Sequence, residues 1–130
     1  MAMSNLKRTI ILIFTILLFG CSSIQHQSRA DWIGYTESGK ASFYADKHQS
    51  KKTASGELYN RDLKTAAHKS IPFGSTVKVT NIRNRKSVVV KINDRGPFVK
   101  GRIIDLSKSA FSRIGKLSSG IINVRIEVLK

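Results

Sequence analysis

Ser87-Val88-Val89-Val90-Lys91-Ile92-Asn93-Asp94-Arg95-Gly96-Pro97-Phe98 is the stretch that decides the fold. Its first half is β-branched and suits a central strand. Its second half packs a donor, an acid, a cation and a turn into six residues. Upstream, residues 76–80 (TVKVT) alternate apolar and polar, as a half-buried strand should. Residues 81–85 then form the loop of a hairpin. Pro72, Phe73 and Gly74 make a turn, residues 65–67 (TAA) a short buried strand, and residues 40–44 a weaker first strand. Downstream, residues 121–129 (IINVRIEVL) alternate again. One helix is expected over residues 106–114, with Leu106, Ala110 and Ile114 on one stripe. Asp105 or Ser107 would cap its start, and Gly115 would end it in a left-handed conformation. Strands on both sides of a single short helix predict a small closed barrel, because closure removes the edges that an open sheet exposes.

The N-terminal segment has a different logic. Lys7 and Arg8 precede the apolar run IILIFTILLF at residues 10–19, which is too short to span a bilayer. Residues 1–20 therefore read as a signal peptide. Leu18-Phe19-Gly20-Cys21 resembles the bacterial lipobox, which implies that Cys21, the chain's one cysteine, carries the lipid. Ser22 stands where an inner-membrane retention signal would carry Asp, which implies the outer membrane, facing the periplasm. Residues 22–38 are polar and aperiodic, the pattern of a tether. Trp32 and Tyr35 within them would either dock on the domain or lie at the lipid interface. The domain itself would cover residues 39–130.

The formal charge is +15, and the leader holds only two of the cations. Such a field favours a polyanionic neighbour. Nucleic acid is excluded by export and by the lack of aromatic–basic interleaving. His26, His48 and His68 are scattered and Cys21 is taken by lipid, so neither a metal site nor a cofactor is expected. With so few acids, only eight, those at turns carry more information than any cation. Glu57 follows a glycine turn, Asp94 ends a strand, and Asp105 precedes the helix.

Six segments support a family resemblance: GKASFY (39–44), TASGE (53–57), LKTAAH (63–68), IPFGSTVKVTN (71–81), VVVKINDRGPF (88–98) and GRIIDLS (101–107). In that order they resemble the rare lipoprotein A family. The resemblance implies a mainly β fold, a six-stranded double-psi β-barrel with one or two short helices, as in expansins. It also implies a lytic transglycosylase that cuts within peptide-poor peptidoglycan strands. Such an enzyme lets the muramic C6 hydroxyl attack its own C1, leaving a 1,6-anhydro end. The nucleophile is internal, so one acid suffices where most glycosidases need two.

By the same resemblance, Asp94 is the first choice for that acid and Asp105 its rival, with Glu57 and His68 beside them. Tyr44, Thr53, Asn60, Thr65, Asn93 and Arg95 would bind substrate, and Lys91, Arg95 and Arg102 would meet muramic carboxylates. Asp105 also suits a helix cap, and Asp94 a turn. Asn60 stands where the family pattern can carry an acid. An amide cannot move a proton, so Asn60 either holds sugar or marks a binder. Two other functions compete with the enzyme: an expansin-like glycan binder using the same cleft, and a structural lipoprotein whose basic face holds membrane to wall. The expected protein is a monomer that works on glycan strands near its membrane anchor. The family's larger members carry a C-terminal glycan-recognising SPOR repeat. None is expected here, and basic charge would supply the wall affinity.

Overall fold

The computed structural model describes Gly20 and residues 27–130. The leader, the lipid attachment at Cys21 and His26 lie outside the described residues, Gly20 excepted. Six strands are present: β1 (Thr36–Phe43), β2 (Thr65–Ala67), β3 (Thr76–Asn81), β4 (Ser87–Asp94), β5 (Arg102–Leu106) and β6 (Ile122–Val128). They close in the order β1-β5-β2-β4-β3-β6, with β6 pairing back to β1. The β1–β5 and β2–β4 pairs are parallel and the others antiparallel. This is the double-psi β-barrel that the sequence leads one to expect.

Alternation builds the core. Val77 and Val79 of β3, Val88, Val90 and Ile92 of β4, and Val124, Ile126 and Val128 of β6 all point inward. Each such side chain, fully buried, contributes about 1.5–3 kcal/mol. Lys78 and Lys91, one residue out of phase, stay in water.

Helix α1 (Lys108–Ile114) plugs the barrel with Ala110, Phe111 and Ile114. The Phe111 ring lies 4.8 Å from that of Phe43. The helix starts two residues later than the stripe suggests. Leu106 is buried as expected, but it belongs to β5, where it pairs with Phe43 and Ala66. The segment read as a lead-in to the helix is thus a strand, and Asp105 is not its cap. Ser107 caps it, accepting a hydrogen bond from Ala110 N at 3.2 Å. Gly115 is extended, with φ −158°, rather than left-handed. Its smallness serves packing instead, since a Cβ there would sit 3.3 Å from the Ile122 side chain.

The N-terminal boundary also moves. Residues 36–38, read as tether, pair with β6 as the first half of β1. The stretch is polar because most of it faces water. Gly39 is needed in the middle of the strand, where a Cβ would come within 2.6 Å of Ile103. Before β1, a 3-10 turn (Arg29–Trp32) docks on the barrel. Trp32 packs against the core and meets Tyr35 edge-on at 4.9 Å. Trp32 thus docks on the domain, while Tyr35 stays 39% exposed.

Replacing Ser107 by Ala should lower unfolding free energy by about 1–2 kcal/mol through loss of the cap. Phe111→Ala should cost about 3–5 kcal/mol through the cavity it leaves. Urea unfolding of each variant measures both.

Candidate active site

Register places the acids. Ser42 pairs with Asp105 across β1 and β5, Asp105 with Ala67 across β5 and β2, and Ala67 with Asp94 across β2 and β4. These residues form one row over four adjacent strands, and positions in register share a face. The two aspartates flank Ala67 with their backbones two strand spacings apart, about 10 Å. Ala67 between them is small and buried.

Asp94 is held by uncharged donors. Its Oδ2 accepts the Tyr44 hydroxyl at 2.6 Å. Its Oδ1 accepts Ala54 N at 2.8 Å and Arg95 N at 2.9 Å. Burial raises the Tyr44 pKa, and the hydrogen bond and charge of Asp94 and the charge of Asp105 raise it further. The phenol is therefore a permanent donor. Its ring packs against Tyr59 at 4.5 Å, which fixes the hydroxyl's position. Asp105 has a different setting. Its Oδ1 meets Arg102 Nη2 at 2.5 Å and the Ser42 hydroxyl, and Arg102 also donates to Ser42.

Glu57 lies on the loop that gives Ala54 to Asp94, but its carboxylate turns outward. Both oxygens accept Lys91 Nζ at 3.1 Å on the surface. Thr53 is buried within the same turn, its Oγ1 donating to Glu57 O at 2.8 Å.

His68 is buried, with both ring nitrogens occupied. Nδ1 accepts Ser70 N at 3.1 Å and Ile71 N at 3.0 Å. The proton therefore sits on Nε2, which donates to Glu37 Oε2 at 2.9 Å. The same oxygen accepts the Tyr35 hydroxyl at 3.2 Å. In this state His68 has no free nitrogen for substrate. It joins the β2 end to β1.

Arg95 acts as a brace. Its Nη1 donates to Ile71 O at 2.9 Å and His68 O at 3.3 Å, and its guanidinium stacks over Phe73 at 3.9 Å. Asn60 Oδ1 accepts Asp62 N at 2.9 Å, a local turn. Thr65 is buried and hydrogen-bonds Ser107 through its backbone. Asn93 is 2% exposed, and its carbonyl accepts Ser55 N. Of the residues singled out in the sequence, Tyr44, Asp94 and Asp105 come together, with the charges of both aspartates acting on the Tyr44 hydroxyl. Thr53, Thr65 and Asn93 are interior, and Asn60 serves its own turn. Lys91, Arg95 and Arg102 are each engaged within the protein. No group of three or more potential metal ligands forms among the described residues. A cavity of about 690 Å³, lined by residues such as Asn81, Arg83 and Lys116, touches none of the acids in the row.

Residues 36–126 match the lytic transglycolase family. The chain belongs to that family. Among curated relatives, the endolytic peptidoglycan transglycosylase RlpA of Pasteurella multocida is 53% identical over 108 residues, 83% of this chain and 37% of the relative. That of Vibrio cholerae is 56% identical over 96 residues, 74% of this chain and 36% of the relative. The chain thus spans little more than a third of the length of these relatives. Two solved structures share the barrel at 21% identity. The Streptomyces papain inhibitor has a TM-score of 0.63 and covers 75% of this chain and 97% of its own. The expansin of Clavibacter michiganensis has a TM-score of 0.59 and covers 74% and 51%. At that identity the likeness is one of fold alone.

Within this lytic transglycolase domain, sequence reasoning missed Glu37 and Ser42. Glu37 was hidden in the supposed tether. The scarcity of acids that singled out Asp94 and Asp105 would have flagged it too.

The buried imidazole makes stability depend on pH. Burial holds the His68 pKa below its ordinary 6.5, outweighing the upward pull of Glu37. The unfolded chain takes up a proton that the folded protein refuses until lower pH. The His68 contribution is therefore full above about pH 6.5 and is lost as pH falls through the folded value. Urea midpoints should fall as pH is lowered below about 6.5, and His68→Gln should flatten that part of the curve.

Proposed function

We propose that this domain is an endolytic lytic transglycosylase of the cell envelope, cutting the β-1,4 bond between N-acetylmuramic acid and N-acetylglucosamine in peptide-poor peptidoglycan. The observation that carries the reading is Asp94, part-exposed and held by Tyr44, Ala54 N and Arg95 N at the edge of the row. Family membership and the names of the relatives support it.

Asp94 is the general acid and base. It gives its proton to the leaving O4 as the C1–O4 bond breaks. It then takes the proton of the C6 hydroxyl as O6 closes on C1. One proton moves from O6 to O4 and no water is consumed. Asp94 is chosen over Asp105 because Asp105 is engaged by Arg102 and Ser42, while the partners of Asp94 are one hydroxyl and two backbone N–H groups. Tyr44 orients the Asp94 carboxyl. Asp105, with Ser42 and Arg102, presents polar groups to the sugar on the other side of Ala67. Glu57 and His68 support the loops around the acid. The protein acts as a monomer, tethered through lipid on Cys21 to the outer membrane.

Purified protein incubated with peptide-free glycan strands should yield 1,6-anhydro ends, detected by mass spectrometry. Asp94→Asn should reduce their formation about 10²–10⁴-fold, the usual contribution of a general acid or base. Tyr44→Phe should cost about 10–100-fold, the worth of one hydrogen bond to a charged group. Loss of product in Asp105→Asn with retention in Asp94→Asn would reverse the assignment. Glycan binding without products would leave the expansin-like binder in place of the enzyme. Cys21→Ala should move the protein from the membrane fraction to the soluble one.

A further inference from the structure

Phe98 is the most exposed large apolar side chain among the described residues, at 80%. An aromatic ring in that position normally folds into a core or marks a contact surface. This one is exposed but not loose. The turn that carries it leaves β4 at Asp94, where Arg95 N is bound to the Asp94 carboxylate. The Arg95 guanidinium is anchored on the carbonyls of His68 and Ile71 and stacked over Phe73. Gly96 follows with φ +112°, and the Phe98 ring folds back on it. A Cβ at Gly96 would lie 3.5 Å from Phe98 Cε2, so the ring rests within two residues of Asp94. The far side of the loop is closed by Arg102 N on Val99 O at 3.1 Å and Lys40 N on Gly101 O at 3.0 Å.

We infer that Phe98 is a sugar-stacking residue, the platform for a pyranose ring of the glycan strand beside the one that reacts at Asp94. This rests on the function proposed above. In a β-1,4-linked glycan the substituents of each ring are equatorial, so both faces carry only axial C–H bonds. Those faces are apolar while the edges are polar. An aromatic side chain without a polar tip packs on such a face and leaves the hydroxyls in water. Val99, 53% exposed beside it, widens the apolar surface. Lys100, also exposed, adds a cation for a carboxylate-bearing sugar. The loop unites the two tasks, because the residue that anchors the turn, Arg95, also gives a backbone donor to Asp94. Strand binding and acid orientation share one rigid turn.

The test compares wild type, Phe98→Ala and Phe98→Trp as purified protein, on peptide-free glycan strands. Cosedimentation measures binding, and 1,6-anhydro ends measure turnover. Phe98→Ala should weaken binding and raise KM about tenfold, some 1.4 kcal/mol, with kcat nearly unchanged. Phe98→Trp should restore both. The deficit should persist at high salt, which screens the basic residues but not an apolar contact. Unchanged binding in Phe98→Ala would overturn the inference. So would a defect confined to anionic vesicles, or to self-association in analytical ultracentrifugation. If wild type binds strands but yields no products and Phe98→Ala loses that binding, the lytic reading falls and the platform stands. If products form normally in both, the platform falls and the lytic reading stands.

Discussion

Everything at the site depends on β1 being paired along both edges, with β5 on one side and β6 on the other. That double pairing closes the barrel and sets its register. Register, in turn, is what puts Ser42, Asp105, Ala67 and Asp94 in one row. A slip of one residue between β1 and β5 would turn Asp105 away from Ser42 and carry Leu106 out of the core. The burial of Ala41, Ile104 and Leu106 therefore guards the geometry of the acids as well as the stability of the fold.

The sequence announces β3, β4 and β6 because each sets Val or Ile inward and Lys, Arg or Thr outward. It hides β5, because Ile103-Ile104-Asp105-Leu106 does not alternate and joins smoothly to a helical stripe. It hides the first half of β1, because a run of Thr, Glu, Ser and Gly with no large apolar side chain looks like a linker. Gly115 is misleading for a related reason: a glycine after a helix usually signals backbone freedom, and here it signals a close neighbour. The acids were legible as chemistry, since a basic chain has few of them. Their meeting was not legible. It arises from pairing between strands far apart in sequence, which no local pattern encodes. The environment that separates the two aspartates, neutral donors for one and a guanidinium for the other, is equally a product of folding.

The basic excess has a similar history. Lys91, Arg95 and Arg102 suggested hands held out to sugar carboxylates. In the folded protein they are bound to Glu57, to backbone carbonyls and to Asp105 respectively. The cations nearest the acids thus build the site. The remaining charge is spread over the surface and acts at a distance.

The docked turn before β1 has a mechanical consequence. Gly34 N and Val128 O are 2.9 Å apart, so the chain enters the barrel beside the end of β6. The acids lie by the other end of β1, past Ser42. A protein anchored ahead of Thr36 and gripping glycan at that far end would be stretched along the axis of β1. Such a load shears both neighbouring ladders at once instead of peeling hydrogen bonds off one by one. The strand that aligns the acids is also the one that would carry tension between membrane and wall.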